Sequence, residues 1–192
     1  MKLALGRGLL ASRVVRSVAA AVMAACCALP ASGCGLLGSG KEIATPSVMT
    51  VNSAAFTRDV MPIQFTCGPH APSPPLSWAG EPPGTKSLAL VLDDSSAPIT
   101  PYVYWIVFDI GPSTSYILQG QLPPGARQAR NSAGSVGYLP PCPGPAGHTY
   151  RFTVYALDTV LSLPDGTSLQ SAWQAIAAAA IGRGRMTANA IS

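Results

Sequence analysis

Few side chains of this 192-residue chain are placed for enzymatic chemistry. With only two histidines, His70 and His148, a hydrolytic triad has few possible forms. Ser135 lies one glycine short of the G-x-S-x-G turn that presents a nucleophilic serine. Asp93 and Asp94 adjoin on an apolar run, where neighbouring strand side chains point to opposite faces, which argues against a glycosidase pair. Glycine-rich phosphate-binding motifs are absent from the sequence. We therefore predict a protein that is not an enzyme and needs no cofactor or metal.

The first 33 residues have the layout of an export signal. A basic start leads into the apolar run Ser17–Leu29, which is shorter than the roughly 20 residues of a membrane span. The run ends in Ala-Ser-Gly-Cys34, which resembles the lipobox of bacterial lipoproteins, where the cysteine is acylated. We expect a lipid-anchored, extracytoplasmic protein of the bacterial envelope. A plain signal peptide, an uncleaved anchor and a weaker lipobox at Cys26 are the alternatives.

The net charge of +4 belongs to this leader. Four of the 12 basic residues precede position 34, and the remaining 12 − 4 = 8 face all 8 acidic residues, so the remainder is neutral. A nucleic-acid-binding domain carries a basic patch on its folded part. The charge balance therefore predicts no nucleic-acid partner.

Two cysteines remain after Cys34, namely Cys67 and Cys142. Because extracytoplasmic compartments oxidise paired thiols, we predict a disulfide between them. Two free thiols are one alternative. The other is a structural zinc site that also uses His70 and His148, since two Cys and two His form a common zinc ligand set.

The sequence divides into a signal peptide (1–33), a lipidated cysteine with a flexible tether (34–52) and one domain (53–192). Glycine and proline, 19 of each, punctuate short elements, as is typical of all-β domains. The continuous apolar run at 87–93 predicts a strand buried on both faces. The other predicted strands are 61–66, 103–110, 150–157 and 186–191.

One helix is predicted late in the chain. Thr167 and Gln170 have the spacing of a capping box, and apolar residues then recur every three or four positions through Trp173. Gly182 is a suitable residue to end it. We expect this helix to pack over one end of a β core.

The polar motifs at the strand ends resemble those of the phosphatidylethanolamine-binding protein (PEBP) family, in its bacterial, Raf-kinase-inhibitor-like branch. They run in order as FTC, SPPLSW, GTKSLALVLDD, PPCP, H-x-Y-x-F and YALDT, from about Ser53 to Ile191. The resemblance implies a mostly β fold, a PEBP-like β-sandwich with a C-terminal α-helix. It also implies a small anion-accepting pocket at one end, covered by that helix.

Carried over by position, the pocket is expected to use Asp94, Tyr104, Pro141, Cys142, His148 and Tyr150. The histidine and the tyrosine hydroxyl can donate hydrogen bonds to a phosphate or carboxylate. This chain departs from the family pattern in several places: Ser95 and Ser96 replace a proline and an acid, Tyr104 a histidine, Thr149 an arginine, and Gly68-Pro69 an Asp-Gly pair. These changes make the expected pocket less titratable and more apolar.

The resemblance implies a protein that binds a small anionic or amphiphilic ligand, similar to a phosphate or phospholipid headgroup. Acylated Cys34 would hold it on the membrane. A protein-interaction module, such as a protease or kinase inhibitor, is the alternative. A hydrolase, in which His148 would act as a general base paired with Asp94, is the weakest hypothesis because no nucleophile accompanies the pair.

Overall fold

A computed structural model describes residues 47–97, 100–144 and 147–190. The leader, Cys34, the tether to residue 46 and Ile191 lie outside these described residues. The elements, in chain order, are β1 Ser47–Asn52, a 3-10 helix Ile63–Phe65, β2 Leu76–Ala79, β3 Ser87–Asp94, β4 Tyr102–Ile110, β5 Tyr116–Ile117, β6 Arg127–Gln128, β7 His148–Leu157, α1 Leu169–Ala179 and β8 Ala180–Ala190.

The strands form one sheet in the order β5-β2-β1-β8-β7-β3-β4-β6. The pairing of β1 with β8 is parallel, and the other strand pairs are antiparallel. The sheet curls so that residues from both of its ends share one core. The predicted mostly β fold with a C-terminal helix is confirmed, and its two layers are parts of a single curled sheet.

The strand β3 lies at the centre of this arrangement. All eight of its residues are buried, as the continuous apolar run predicts. One face, which includes Leu90 and Leu92, contributes to the core inside the curled sheet. The other face, which includes Ala89 and Val91, packs in a second core with Ile176 of α1. Apolar burial on both faces explains why this strand has no alternating polar positions.

The parallel contact between β1 and β8 requires a residue without a side chain. A Cβ atom placed on Gly184 would lie 2.5 Å from the carbonyl oxygen of Met49. Glycine allows the two backbones to approach at this point. Because Ser47–Asn52 form β1, the predicted tether is wrong in its last six residues, and the fold includes Ser47.

Two predicted elements differ in the structure. The predicted strand at 61–66 is wrong, since Ile63–Phe65 form a 3-10 turn that begins after Pro62. The helix is capped by Ser168, whose hydroxyl accepts a hydrogen bond from the Ser171 amide, so the predicted Thr167 cap is wrong by one position.

The helix ends earlier than predicted, at Ala179, and β8 follows at once. Gly182 therefore lies within β8 instead of ending the helix. A Cβ atom there would lie 2.9 Å from the Pro82 ring, which shows that close packing requires this glycine. Neither helix of the described ranges has the length and hydropathy that a membrane crossing requires.

Candidate functional site

The centre of the candidate site is a hydrogen-bonded pair, Asp94 and His148. The two residues lie at the end of β3 and the start of β7, where Asp94 is in register with Tyr150. The His148 Nδ1 atom is 2.6 Å from Asp94 Oδ2, and because a carboxylate accepts, the imidazole donates. Asp94 is buried, whereas 34% of the His148 side chain is exposed. The carboxylate thus orients the imidazole and leaves its Nε2 atom for another partner.

Two aromatic rings extend the site beside the imidazole. The rings of His148 and Tyr150 stack with centroids 6.1 Å apart and planes 16° apart, because residues two apart on a strand share one face. The edge of Tyr104, on β4, meets the Tyr150 ring at 5.5 Å and 85°. Four of the six predicted binding residues are therefore brought together: Asp94, Tyr104, His148 and Tyr150.

The Tyr150 hydroxyl is exceptional among the buried polar atoms. The residue has 0% exposure, and its Oη atom is the only buried side-chain nitrogen or oxygen of the described ranges without a hydrogen bond of good geometry; the Tyr104 hydroxyl is a nearby candidate partner. Burial raises the pKa of this phenol, and the nearby Tyr104 phenol and the Asp94 charge raise it further. Burial, followed by the Asp94 charge, likewise raises the pKa of Tyr104. Both hydroxyls therefore keep their protons at neutral pH and can donate.

The predicted disulfide is present and holds the loop that precedes β7. Cys67 and Cys142 are bonded with their Cα atoms 4.4 Å apart, so both sulfur atoms are used and neither is a zinc ligand. The Cys67 amide also donates to the Pro141 carbonyl oxygen at 3.0 Å. These bonds fix the position of Pro141 and Cys142 relative to the segment that follows the 3-10 turn.

A second set of bonds connects this loop to the aromatic rings. The Leu139 amide donates to the Tyr104 carbonyl oxygen at 3.0 Å, and the Tyr138 hydroxyl donates to the Phe65 carbonyl oxygen at 2.7 Å. Pro141 and Cys142 are therefore joined to the cluster through the backbone of the loop. The side chains of the cluster that carry donor groups come from β4 and β7.

The residues that depart from the family pattern brace the site. The Ser96 hydroxyl accepts from the Thr149 amide at 3.0 Å, and the Ser95 hydroxyl donates to the Thr149 carbonyl oxygen at 2.9 Å. The Ser96 amide donates to Asp94 Oδ1 at 2.7 Å, so both carboxylate oxygens are engaged. These roles were not predicted from the sequence. The two serines that directly follow β3 could have indicated them, because short hydroxyl side chains often form hydrogen bonds with nearby backbone groups.

The opposite face of the same strand ends is chemically separate. Asp93, next to Asp94, forms an ion pair with Arg151. Asp93 and Asp94 therefore lie on opposite faces, as predicted. The helix α1 packs against the Asp93 face, with Ala172 and Ile176 in the second core, whereas Tyr150 belongs to the first. The expectation that the C-terminal helix covers the site is wrong, because the sheet lies between them.

Comparisons with known proteins agree with this fold. A family model described as phosphatidylethanolamine-binding protein matches residues 51–191. A UPF0098 protein of Methanothermobacter thermautotrophicus is 38% identical over 144 residues, which cover 72% of this chain and 95% of the relative. A Mycobacterium tuberculosis protein named "Putative lipoprotein LppC" is 44% identical over 142 residues, covering 72% of this chain and 70% of the relative.

Solved structures give the same result. The crystal structure of Escherichia coli YbcL, described as a new member of the mammalian PEBP family, matches with a TM-score of 0.67 and 27% identity. The match covers 75% of this chain and 98% of YbcL. The PEBP homologue CT736 of Chlamydia trachomatis also matches with a TM-score of 0.67, at 33% identity over 74% of this chain and 97% of that one.

Proposed function

Because the chain belongs to the phosphatidylethanolamine-binding protein family, we propose that it binds a small anionic or amphiphilic ligand at the Asp94–His148 site. The ligand carries a phosphate-like or carboxylate-like group. The hydrogen-bond donors for that group are the hydroxyls of Tyr104 and Tyr150 and, in the imidazolium form, the Nε2 atom of His148.

The observation that supports this proposal is the unpartnered hydroxyl of Tyr150. Leaving a buried polar group without a partner costs about 1–3 kcal/mol, so folded proteins rarely retain one without use. Its neighbours are a stacked imidazole and the edge of a second tyrosine, both able to donate. An anion bound among these three groups would satisfy the hydroxyl.

Asp94 has a positioning role in this proposal. Its carboxylate accepts from His148 and from the Ser96 amide and so holds the imidazole in place, while its negative charge opposes a bound anion unless the imidazole is protonated. The hydrogen bond fixes the proton on Nδ1 of the imidazole, and protonation of Nε2 then adds a charged donor.

The proposal includes an envelope location. The lipobox-like sequence ends at Cys34, and the name of a relative at 44% identity contains the word lipoprotein. We propose that acylated Cys34 anchors the protein to the membrane, as two or more acyl chains do stably. Mass spectrometry of the mature N-terminal peptide tests this, and a free, unmodified N-terminus would contradict it.

The binding site is tested by calorimetric titration with O-phosphoethanolamine, inorganic phosphate and ethanolamine. We expect the two phosphates to bind and ethanolamine alone not to bind. Because each charge-assisted bond is worth about 1.5–3 kcal/mol, His148→Ala should weaken phosphate binding by roughly tenfold or more.

The chain offers a matched control, because its other histidine, His70, is exposed. His70→Ala should leave the affinity unchanged. Tyr150→Phe is a second test that keeps the Asp94–His148 pair intact, and it should also weaken binding. Equal affinities for the wild type, His148→Ala and Tyr150→Phe would refute the site.

A further inference from the structure

A second concave surface lies on the opposite face of the sheet, beneath the N-terminal half of α1. On this face, β7 contributes the side chains of Thr153 and Tyr155. They alternate along the strand with Phe152, Val154 and Ala156, which belong to the core inside the curled sheet. In the antiparallel register, Thr153 is opposite Arg185 of β8, and Tyr155 is opposite Arg183. Two exposed arginines therefore stand side by side along β8, next to a tyrosine that is only 9% exposed.

The helix covers this face only in part. The buried residues of α1 are Ala172, Ile176 and Ala179, whereas Trp173 projects sideways and is 43% exposed. The Trp173 ring meets Tyr155 edge-on, with centroids 6.1 Å apart and planes 88° apart. The two rings therefore form a right-angled apolar corner at the edge of the helix.

A cavity of about 320 Å³ opens at this corner. Its apolar lining includes Val103, Leu169, Tyr155 and Trp173, and its polar lining includes Arg183 and Arg185. The volume is at the lower end of the roughly 300–1,000 Å³ found for small-molecule sites. A mostly apolar concavity with a few convergent charged groups is the usual form of such a site.

The charges at the cavity are unbalanced. Asp93 and Arg151, which also line it, neutralise each other in an ion pair. No carboxylate of the described residues forms an ion pair with Arg183 or Arg185. The Nε atom of Arg185 donates to Thr153 Oγ1 at 2.9 Å, which orients its guanidinium group. The cavity thus carries two positive charges that no described acid pairs with.

The same two arginines also line a neighbouring groove of about 370 Å³. Its apolar part is formed by Val48 and Met49 of β1, and Val48 is 88% exposed, an unusual environment for a large aliphatic residue. The arginines therefore separate two apolar concavities. The combination favours a ligand that has both a charged group and an apolar body.

We infer that this cavity is a second binding site, independent of the Asp94–His148 site, for a small amphiphilic anion with a planar aromatic body. The carboxylate, sulfonate or phosphate of the ligand lies between Arg183 and Arg185, whose planar guanidinium groups match the geometry of such anions. The aromatic body lies in the corner formed by Tyr155 and Trp173, where edge and face contacts with both rings are available.

The probe for this site is 2-naphthoate, with the uncharged 2-naphthylmethanol as its matched analogue. Binding is measured by calorimetry and by the NMR shift of the Trp173 indole N–H signal. We expect naphthoate to bind at least tenfold more tightly than the alcohol and to shift that indole signal. Naphthylmethanol binding as tightly as naphthoate would overturn the proposed role of charge.

The variants Arg183→Gln and Arg185→Gln should each weaken naphthoate binding about tenfold, and the double variant about a hundredfold. Arg58→Gln, at an exposed arginine that does not line the cavity, is the matched control and should bind as the wild type does. The naphthoate affinity reported by the Trp173 indole signal should be unchanged in His148→Ala, which separates this site from the proposed function. An unchanged affinity in the Arg183/Arg185 double variant would refute the site.

Discussion

Replacing Tyr150 by phenylalanine should stabilise the ligand-free protein. The change removes a single oxygen atom, which is buried and has no hydrogen-bond partner among the described residues. The ring remains, with its stacking on His148 and its edge contact with Tyr104. Because an unsatisfied buried hydroxyl costs about 1–3 kcal/mol, we expect the free energy of unfolding to rise by about 1–2 kcal/mol. For a domain of this size that is a rise in Tm of about 3–6 °C.

Tyr138→Phe is the matched control, because it removes the same atom from a hydroxyl that is used. The Tyr138 hydroxyl donates to the carbonyl oxygen of Phe65 at 2.7 Å, and Phe65 has 0% exposure. The substitution leaves that carbonyl oxygen without its donor, which costs about 1–3 kcal/mol. Two chemically identical substitutions should therefore change stability in opposite directions.

Urea denaturation and thermal melting of the three proteins measure this difference, with the disulfide intact and any bound ligand first removed by dialysis from denaturant. The same samples are then titrated with O-phosphoethanolamine, for which Tyr150→Phe should bind about tenfold more weakly. If the Tyr150 hydroxyl binds the ligand, its removal should both raise the stability of the free protein and lower the affinity for the ligand. If Tyr150→Phe lowers stability as much as Tyr138→Phe does, the hydroxyl has a structural role and the reasoning is refuted.

Three further predictions concern the framework of the site. Replacing Cys67 and Cys142 by alanine removes a cross-link of 75-residue separation and should lower the free energy of unfolding in urea by about 4 kcal/mol; a loss below about 1 kcal/mol would contradict this. Because burial raises the pKa of Tyr150 above the ordinary 10.0, the folded state holds its proton while the unfolded state ionises. Stability should therefore be at its full value below about pH 10 and fall above it, more steeply in the wild type than in Tyr150→Phe; equal slopes would count against burial of the phenol. Gly184→Ala, whose Cβ would meet a carbonyl oxygen at 2.5 Å, should cost about 2 kcal/mol or more, whereas Gly144→Ala, with open space around it, should change stability by less than about 0.5 kcal/mol; similar effects of both would contradict the close approach of β1 and β8.

Local patterns predicted much of the fold because they reflect local burial. The apolar run of β3 indicated burial on both faces, and the structure places a core on each side of it. Strand alternation alone placed Asp93 and Asp94 on opposite faces, where they pair with Arg151 and His148. Period and hydrophobicity are properties of a few consecutive residues, so they can be read without the tertiary structure.

Several predictions were wrong because the role of the residue depends on a contact with residues that are distant in the sequence. Gly182 has the sequence signature of a helix end, yet it is required because the Pro82 ring packs against its backbone. Trp173 has the spacing of a core position but projects to the edge of the helix beside Tyr155. Ser47–Asn52 look like tether because their strand is stabilised by pairing with β8, more than 130 positions away. None of these contacts leaves a local signal.

The candidate site combines features that could be predicted from the sequence with features that depend on contacts between distant residues. Its residue types could be identified from the family resemblance, but the Asp94–His148 pair depends on the register of β3 and β7, which joins positions 54 apart. The bracing bonds of Ser95 and Ser96 replace what looked like lost family residues. The unpartnered state of the Tyr150 hydroxyl is a property of packing and could be seen only in the structure.

The most direct test of the proposed function is a native mass spectrum of the protein purified from its own membrane in mild detergent, recorded for the wild type and for Tyr150→Phe. The account predicts a wild-type complex heavier than the bare chain by the mass of one small anionic or amphiphilic molecule, and loss of most of that complex in Tyr150→Phe. A wild-type spectrum with only the bare chain, or equal retention of the same molecule by both proteins, would contradict it.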